Sequence, residues 1–186
     1  MERRHGPWTI TETALKYRDD FIEVYADSVK RPDGEPGTYA TVHMKPGVSV
    51  LPVEADGTVY LTRQFRYALG AESIEAVSGG VEDEDADAAA RKELREELGI
   101  EAAELISLGQ MDMDTSIVRS PVSLYLARGL KFTAAEQEGT ERIEPFETTL
   151  ERAAAMVIDS EITHSPSCVL ILKAARYLEG HQTTAI

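Results

Sequence analysis

Three carboxylates fall within five positions of the stretch ARKELREELGI, at Glu93, Glu96 and Glu97. On a helix, with Glu93 at zero, Glu97 lies at about +40° and Glu96 at about −60°, so the three share one side. Ala90, Leu94 and Leu98 fall between about +60° and +140°, on the face that packs against a core. The acids therefore border the buried stripe. Like charges three or four positions apart cost about 0.2–0.5 kcal/mol per pair on an open helix, and partial burial raises that cost. One reading is an ordinary solvated Glu-rich face, the commoner arrangement in proteins. The other is a seat for a hard divalent cation, which takes oxygen ligands and commonly shares them with substrate phosphates. Such a cation would polarise a phosphorus centre and lower the pKa of an attacking water.

Composition narrows the field. At 186 residues and a net charge of −14, the chain is long enough for one well-cored domain with a small appended subdomain. Residues 72–104 carry twelve Asp and Glu against Arg91, Lys92 and Arg95, so most of the excess negative charge surrounds the glutamate cluster. That field disfavours nucleic-acid backbones and anionic membranes, so neither is an expected partner. It also repels a phosphorylated substrate, unless cations are bound between the two. No apolar run approaches the length of a membrane span, and MERRHGPWTI lacks the apolar stretch of a secretory leader. The single cysteine, Cys168, excludes an internal disulfide and suits a reducing cytoplasm. His5, His43, His164 and His181 show no metal-ligand spacing, and no zinc motif is present.

The elements that must position the cluster are legible in outline. FIEVYADSVK and TYATVHM alternate apolar and polar residues around the turn-rich RPDGEPG, which predicts a hairpin. VSVLPVEADGTVYLTRQFRY predicts a second hairpin around Ala55-Asp56-Gly57. SIEAV is a short strand leading to Ser78-Gly79-Gly80, which is free to turn sharply. DEDADAAARKELREEL is a helix with acids in its first turn and Gly99 at its C-terminal end. LISLGQMDM and VSLYLARGL are strands separated by the polar loop DTSIVRS. TTLERAAAMVI and SPSCVLILKAARYLEG are helices, the second with Ser165 as N-cap and Pro166 at the first helical position. Mixed order with several hairpins predicts an α+β fold.

Seven residues separate Glu84 from Lys92, and KELREELGI follows. This pattern resembles the Nudix box, Gly-x5-Glu-x7-Arg-Glu-U-x-Glu-Glu-x-Gly-U with U a bulky aliphatic. Glu84, Glu93, Leu94, Glu96, Glu97, Gly99 and Ile100 match in register. Two positions depart. Lys92 stands at the box arginine, whose usual task is to brace the glutamates, and lysine lacks the bidentate fork. The opening glycine is best matched by Gly79, leaving the loop SGGVEDED one residue short. Beyond the box, residues 17–178 resemble the ADP-ribose pyrophosphatase branch of the family.

That resemblance implies a Nudix fold, a mixed β-sheet sandwiched between helices, with a small N-terminal antiparallel β-subdomain. The expected organisation is a β-subdomain at 1–47, used for dimerisation, a hydrolase domain at 48–180 and a tail at 181–186. It implies hydrolysis of the diphosphate bond of a nucleoside diphosphate linked to a sugar-like group, with Mg²⁺ or Mn²⁺. Glu93, Glu96, Glu97 and the carbonyl of Ser78 are the implied metal ligands, with Glu96 either bridging metal or deprotonating water. Arg66, in RQFR, and Glu75 are implied at the substrate site, and Arg119 is a candidate for phosphate or ribose. Glu141, in the charged loop EGTER, is the implied base or further ligand, with Glu138 and Glu144 as neighbours that a small slip would substitute. The Ser-Pro-Gly-type loop of ADP-ribose hydrolases is absent from DTSIVRSPV, so the wider substrate class is better founded than ADP-ribose itself. A non-catalytic nucleotide-binding module and a hydrolase of dinucleoside polyphosphates remain alternatives.

Overall fold

The computed structural model describes residues 2–137 and 142–182. The chain divides into two units, one comprising the residues up to Lys45 with Asp112–Pro121, the other Pro46–Met111 with Val122 onward. The first unit opens with strands β1 (Arg3–His5), β2 (Trp8–Arg18), β3 (Ile22–Lys30) and β4 (Pro36–Met44). The second continues with β5 (Gly47–Pro52), β6 (Thr58–Arg66), β7 (Ala71–Glu75), β8 (Val77–Gly80), helix α1 (Ala86–Leu98) and β9 (Ile100–Asp112). Strand β10 (Val118–Arg119) belongs to the first unit, and β11 (Pro121–Phe132), β12 (Ile143–Thr149), α2 (Leu150–Ile158) and α3 (Ser165–Gln182) complete the second.

The first unit is one sheet in the order β1-β2-β3-β4-β10. The predicted hairpin forms, with β3 and β4 in register from Ile22↔Met44 to Lys30↔Pro36. The polar segment DTSIVRS does more than connect: its Val118 and Arg119 pair in parallel with Val42 and His43 of β4.

The second unit holds two sheets, β8-β5-β11-β9 and β12-β6-β7. Strand β5 runs parallel to β11 and antiparallel to β8, which makes its sheet mixed. Its residues face two cores alternately. Val48 and Val50 pack with Ala90, Leu94 and Leu98 of α1, while Leu51 packs with Leu170, Ile171 and Ala174 of α3. Helices thus cover both faces of this sheet. The expected α+β sandwich is what the chain builds.

Three local expectations need correction. The turn at Ala55-Asp56-Gly57 forms, closed by Glu54 N–H donating to the Thr58 carbonyl at 2.8 Å, but β5 and β6 share only the bridge Val53↔Val59. The apolar run of β5 leaves it no polar face, so it sits inside a sheet with β8 and β11 on its two edges, leaving none for β6. Ser78-Gly79-Gly80 does not turn sharply but lies in β8, opposite Ser49, Val48 and Gly47. At α3, the His164 carbonyl accepts the first helical bond, from Cys168 N–H at 3.0 Å. The cap is therefore one residue earlier than Ser165.

Candidate active site

Helix α1 begins at a sequence-encoded cap. Asp85 is extended, and its carboxylate accepts the Ala88 N–H at 2.9 Å. The helix ends at Gly99, whose φ of +62° is the left-handed conformation glycine adopts without strain. Between these caps Ala89, Ala90 and Leu94 are fully buried. Burying a leucine side chain contributes about 1.5–3 kcal/mol, which exceeds the repulsion among three neighbouring acids on the same helix. Packing therefore decides the helix orientation, and the acids go where that orientation takes them.

It takes them to different depths. Glu97 is 5% exposed, at the edge of the buried stripe. Glu93 and Glu96 are half-buried. The Glu93 carboxylate occupies a cradle over Gly79 of β8: a β-carbon at 79 would stand 2.0 Å from Cδ and Oε1 and 2.6 Å from Oε2. Only glycine leaves room for that carboxylate. The neighbouring Ser78 donates its hydroxyl to Ser49 Oγ at 3.0 Å or to the Ala76 carbonyl at 2.9 Å. Lys92 Nζ stands 3.8 Å from Glu96 Oε2. Arg91 does not substitute for the box arginine, because its guanidinium is bonded to Asp87 and to the Ala102 carbonyl.

The donor set fits a hard divalent cation in chemistry: three carboxylates on one helix, one of them buried and one seated in a cradle against the strand that carries Ser78. Among the described residues no three His, Cys, Asp or Glu stand at metal-holding spacing.

A second cluster lies on β6, β7 and the start of α3. Glu75 is 2% exposed and holds Arg66 in a two-point contact, Nε to Oε1 at 3.0 Å and Nη2 to Oε2 at 2.5 Å. The two residues expected at the substrate site thus form one buried-to-exposed pair, with the Arg66 side chain 41% exposed. His164 Nδ1 faces the same Oε2 at 3.3 Å and Ser167 Oγ at 2.8 Å, and Ser167 accepts the Ala76 N–H at 2.8 Å. Burial is the largest influence on the Glu75 carboxyl and raises it, but the Arg66 hydrogen bond and charge, with His164 and Ser73 alongside, hold it below its usual range. Burial also pushes His164 below its ordinary value, against the pull of Glu75 and with the push of Arg66. The imidazole is accordingly neutral near pH 7. Sequence reasoning missed His164 and Ser167. The helix-start pattern around Ser165-Pro166 was the available signal, but Ser167 meets Ala76 across 91 positions.

Of the other expected residues, Arg119 lies in the first unit, lining a groove of about 1000 Å³ with Trp8, Tyr25, Tyr39 and His43. Glu138 and Glu141 lie outside the described residues. Glu144 is exposed on β12, opposite Arg63. The segment leading toward the charged loop is fastened to α1, because Gln137 Nε2 donates to the Glu97 carbonyl at 3.1 Å and to the Ile143 carbonyl at 2.9 Å.

The NUDIX domain model matches residues 43–148, more than half of the chain. The chain belongs to the Nudix family. Among curated proteins, this Nudix chain is 28% identical over 144 residues to an ADP-ribose pyrophosphatase of Bacillus subtilis (strain 168), covering 76% of this chain and 78% of that one. It is 26% identical over 161 residues to a methanol dehydrogenase activator of Bacillus methanolicus, covering 85% of each. It is 30% identical over 123 residues to a GDP-mannose pyrophosphatase of Klebsiella pneumoniae, covering 61% and 62%. Among solved structures, the crystal structure of an ADP compounds hydrolase superposes with a TM-score of 0.81 at 20% identity, covering 94% of this chain and 95% of that one, and so shares the fold. Two of these three curated relatives are pyrophosphatases. Nudix hydrolases generally use divalent metal ions. No helix among the described residues is long and apolar enough to cross a membrane.

Proposed function

We propose that this Nudix hydrolase cleaves the diphosphate bond of a nucleoside diphosphate joined to a sugar-like group, ADP-ribose or a nucleotide sugar. The products are a nucleoside monophosphate and a sugar phosphate. The observation that carries the reading is the Glu93 carboxylate seated over Gly79 on the helix that also bears Glu96 and buried Glu97. The ADP-ribose and GDP-mannose pyrophosphatases among its relatives support the substrate class without choosing within it.

Glu93, Glu97 and the Ser78 carbonyl would hold Mg²⁺ or Mn²⁺, with Glu96 as a bridging ligand or the base that takes a proton from water. A bound divalent ion supplies charge neutralisation of the diphosphate and a lowered pKa for the attacking water. Water oxygen adds to one phosphorus, the anhydride P–O bond breaks, and the departing phosphate keeps the bonding pair. Arg66, held by Glu75, offers its guanidinium to a substrate phosphate. Arg119 stands among aromatic rings in a groove suited to phosphate or ribose. Glu141 keeps its proposed role as base or further ligand.

We further propose that the chain works as a homodimer in a reducing cytoplasm. Leu15, Tyr17, Phe21 and Met44 leave large apolar surface exposed on the first unit, and Cys168 is unpaired. A monomeric mass in solution at working concentration contradicts the dimer.

A screen of ADP-ribose, nucleotide sugars and dinucleoside polyphosphates with Mg²⁺ or Mn²⁺, reading both products, tests the reaction. Nucleoside monophosphate plus sugar phosphate is the expected outcome. Turnover of dinucleoside polyphosphates alone moves the substrate class, and tight binding without turnover of any compound contradicts hydrolysis.

A further inference from the structure

Arg66 is an arginine at the edge of solvent, and its hold on Glu75 explains where its fork points only if the carboxylate itself is fixed. Glu75 is 2% exposed, yet its side chain ends in a group free to rotate about its last torsion unless both oxygens are engaged from more than one side. The two contacts from Arg66 come from β6. Ser73, on the same strand as Glu75, also bonds the carboxylate, and another element approaches it: His164, immediately before α3, places Nδ1 3.3 Å from Oε2, the oxygen that accepts from Arg66 Nη2.

His164 is in turn fixed. Its Nδ1 stands 2.8 Å from Ser167 Oγ, and that oxygen accepts the N–H of Ala76, the residue after Glu75. The contacts close a ring from Glu75 along the backbone to Ala76, across to Ser167 and His164, and back to Glu75. Ser167 and Ala76 are fully buried, and the His164 side chain is 22% exposed. Such a ring couples the start of α3 to Ala76 at the junction of β7 and β8, two residues before the Ser78-Gly79 segment on which Glu93 rests.

We infer that His164 is a positioning residue for substrate binding: with Nδ1 bonded to Ser167 and standing 3.3 Å from the Glu75 carboxylate, it restrains that carboxylate and through it the orientation of the Arg66 guanidinium. The tautomer follows from charge. A ring-nitrogen lone pair turned toward a carboxylate oxygen at this distance is repelled, whereas an N–H is attracted. The effect on turnover rests on the proposal that Arg66 contacts substrate phosphate. The lock on Arg66 does not.

Three substitutions separate this role from simple packing. Asparagine places an amide N–H close to the position of Nδ1, glutamine reaches toward that of Nε2, and alanine offers neither. His164→Ala is expected to raise KM about tenfold while kcat stays within about twofold, the scale of losing one close polar contact that restrains a charged group. His164→Asn is expected to restore KM to within about threefold of wild type, and His164→Gln is not. A second readout needs no substrate: the Arg66 Nε–H proton, followed by ¹H–¹⁵N NMR, should exchange faster with solvent in His164→Ala and His164→Gln but not in His164→Asn. Unchanged KM and unchanged Arg66 exchange in His164→Ala overturn the inference, as does rescue by glutamine over asparagine. If His164→Ala fails to fold, equal behaviour of the asparagine and glutamine variants overturns it. If wild type turns over no nucleoside diphosphate compound, the substrate reading fails, while the Arg66 exchange still decides the positioning role.

Discussion

The carboxylate of Glu93 fills the space that a β-carbon on residue 79 would need, 2.0 Å from its Cδ and Oε1. Helix α1 and strand β8 are thereby coupled through the side chain proposed as a metal ligand. Gly79→Ala tests the coupling. The obstructing atoms are the far end of a flexible side chain, so the fold can yield by moving the glutamate. We expect a stability loss under about 1 kcal/mol together with at least a tenfold fall in turnover, since a small misplacement of a reacting group is costly. Urea unfolding and steady-state kinetics on the same preparation check it. A variant with full activity contradicts the placement of Glu93 in the site.

Lys92 contacts Glu96 at 3.8 Å, a long single contact between side chains 45% and 27% exposed. Exposed pairs of this kind contribute little. A guanidinium reaches further and engages a carboxylate at two points. Lys92→Arg should lower the metal concentration needed for half-maximal turnover by about two- to fivefold. Titration of Mg²⁺ against rate reads the change, and an unaltered midpoint removes bracing from the account.

The Glu75–His164 pair makes stability pH-dependent in two windows. His164 is held below its ordinary 6.5, so the unfolded chain takes up a proton first, and stability falls as pH drops below about 6.5 toward the lower folded value. Glu75 is held below its ordinary 4.5, so its contribution is complete above that pH and is lost as pH falls through the lower folded value. Urea midpoints at pH 7.5, 5.5 and 4 are the measurement. His164→Asn should remove the decline attributable to the upper window, and Glu75→Gln should flatten the lower one. An identical slope between pH 7.5 and 5.5 in wild type and His164→Asn contradicts the burial of a neutral histidine.

Gly99 combines a φ of +62° with close packing: a β-carbon there would stand 2.4 Å from the Thr133 carbonyl oxygen and 2.7 Å from Ala135 N. These are backbone atoms and cannot swing aside. Gly99→Ala should cost about 2–4 kcal/mol, combining left-handed strain with overpacking. Thermal or urea unfolding measures it. A loss below about 1 kcal/mol contradicts the close approach of residues 133–135 to the helix end.

What the sequence disclosed was whatever is local. The C-terminal Gly99 of α1 and its buried stripe follow from spacing, because a helix repeats within four residues, whereas the stretch DEDADAAA left its start open until Asp85 was seen to cap it. The β3–β4 hairpin follows from alternation around a turn. Strand partnership did not follow for β5 and β6, because which edge of a doubly buried strand remains open depends on β8 and β11, and β11 is remote in sequence. The cradle at Gly79 was legible only as a glycine with room to turn, since the atom filling its space belongs to Glu93. His164 escaped notice for the same reason. Its neighbours in sequence explain a helix start, while its meaning comes from Glu75, on a strand much earlier in the chain.

The central claim is that the α1 glutamates supply cation-dependent hydrolysis of a diphosphate bond. The most direct test is the rate of nucleoside monophosphate release from ADP-ribose and nucleotide sugars, with Mg²⁺ and with chelator, for wild type and Glu97→Gln. Glu97→Gln keeps the shape of the buried side chain and removes its charge. We predict wild-type turnover that chelator abolishes, and a loss of at least about 10³-fold in Glu97→Gln in a protein that remains folded. Turnover that persists in Glu97→Gln, or that is indifferent to chelator, contradicts the account.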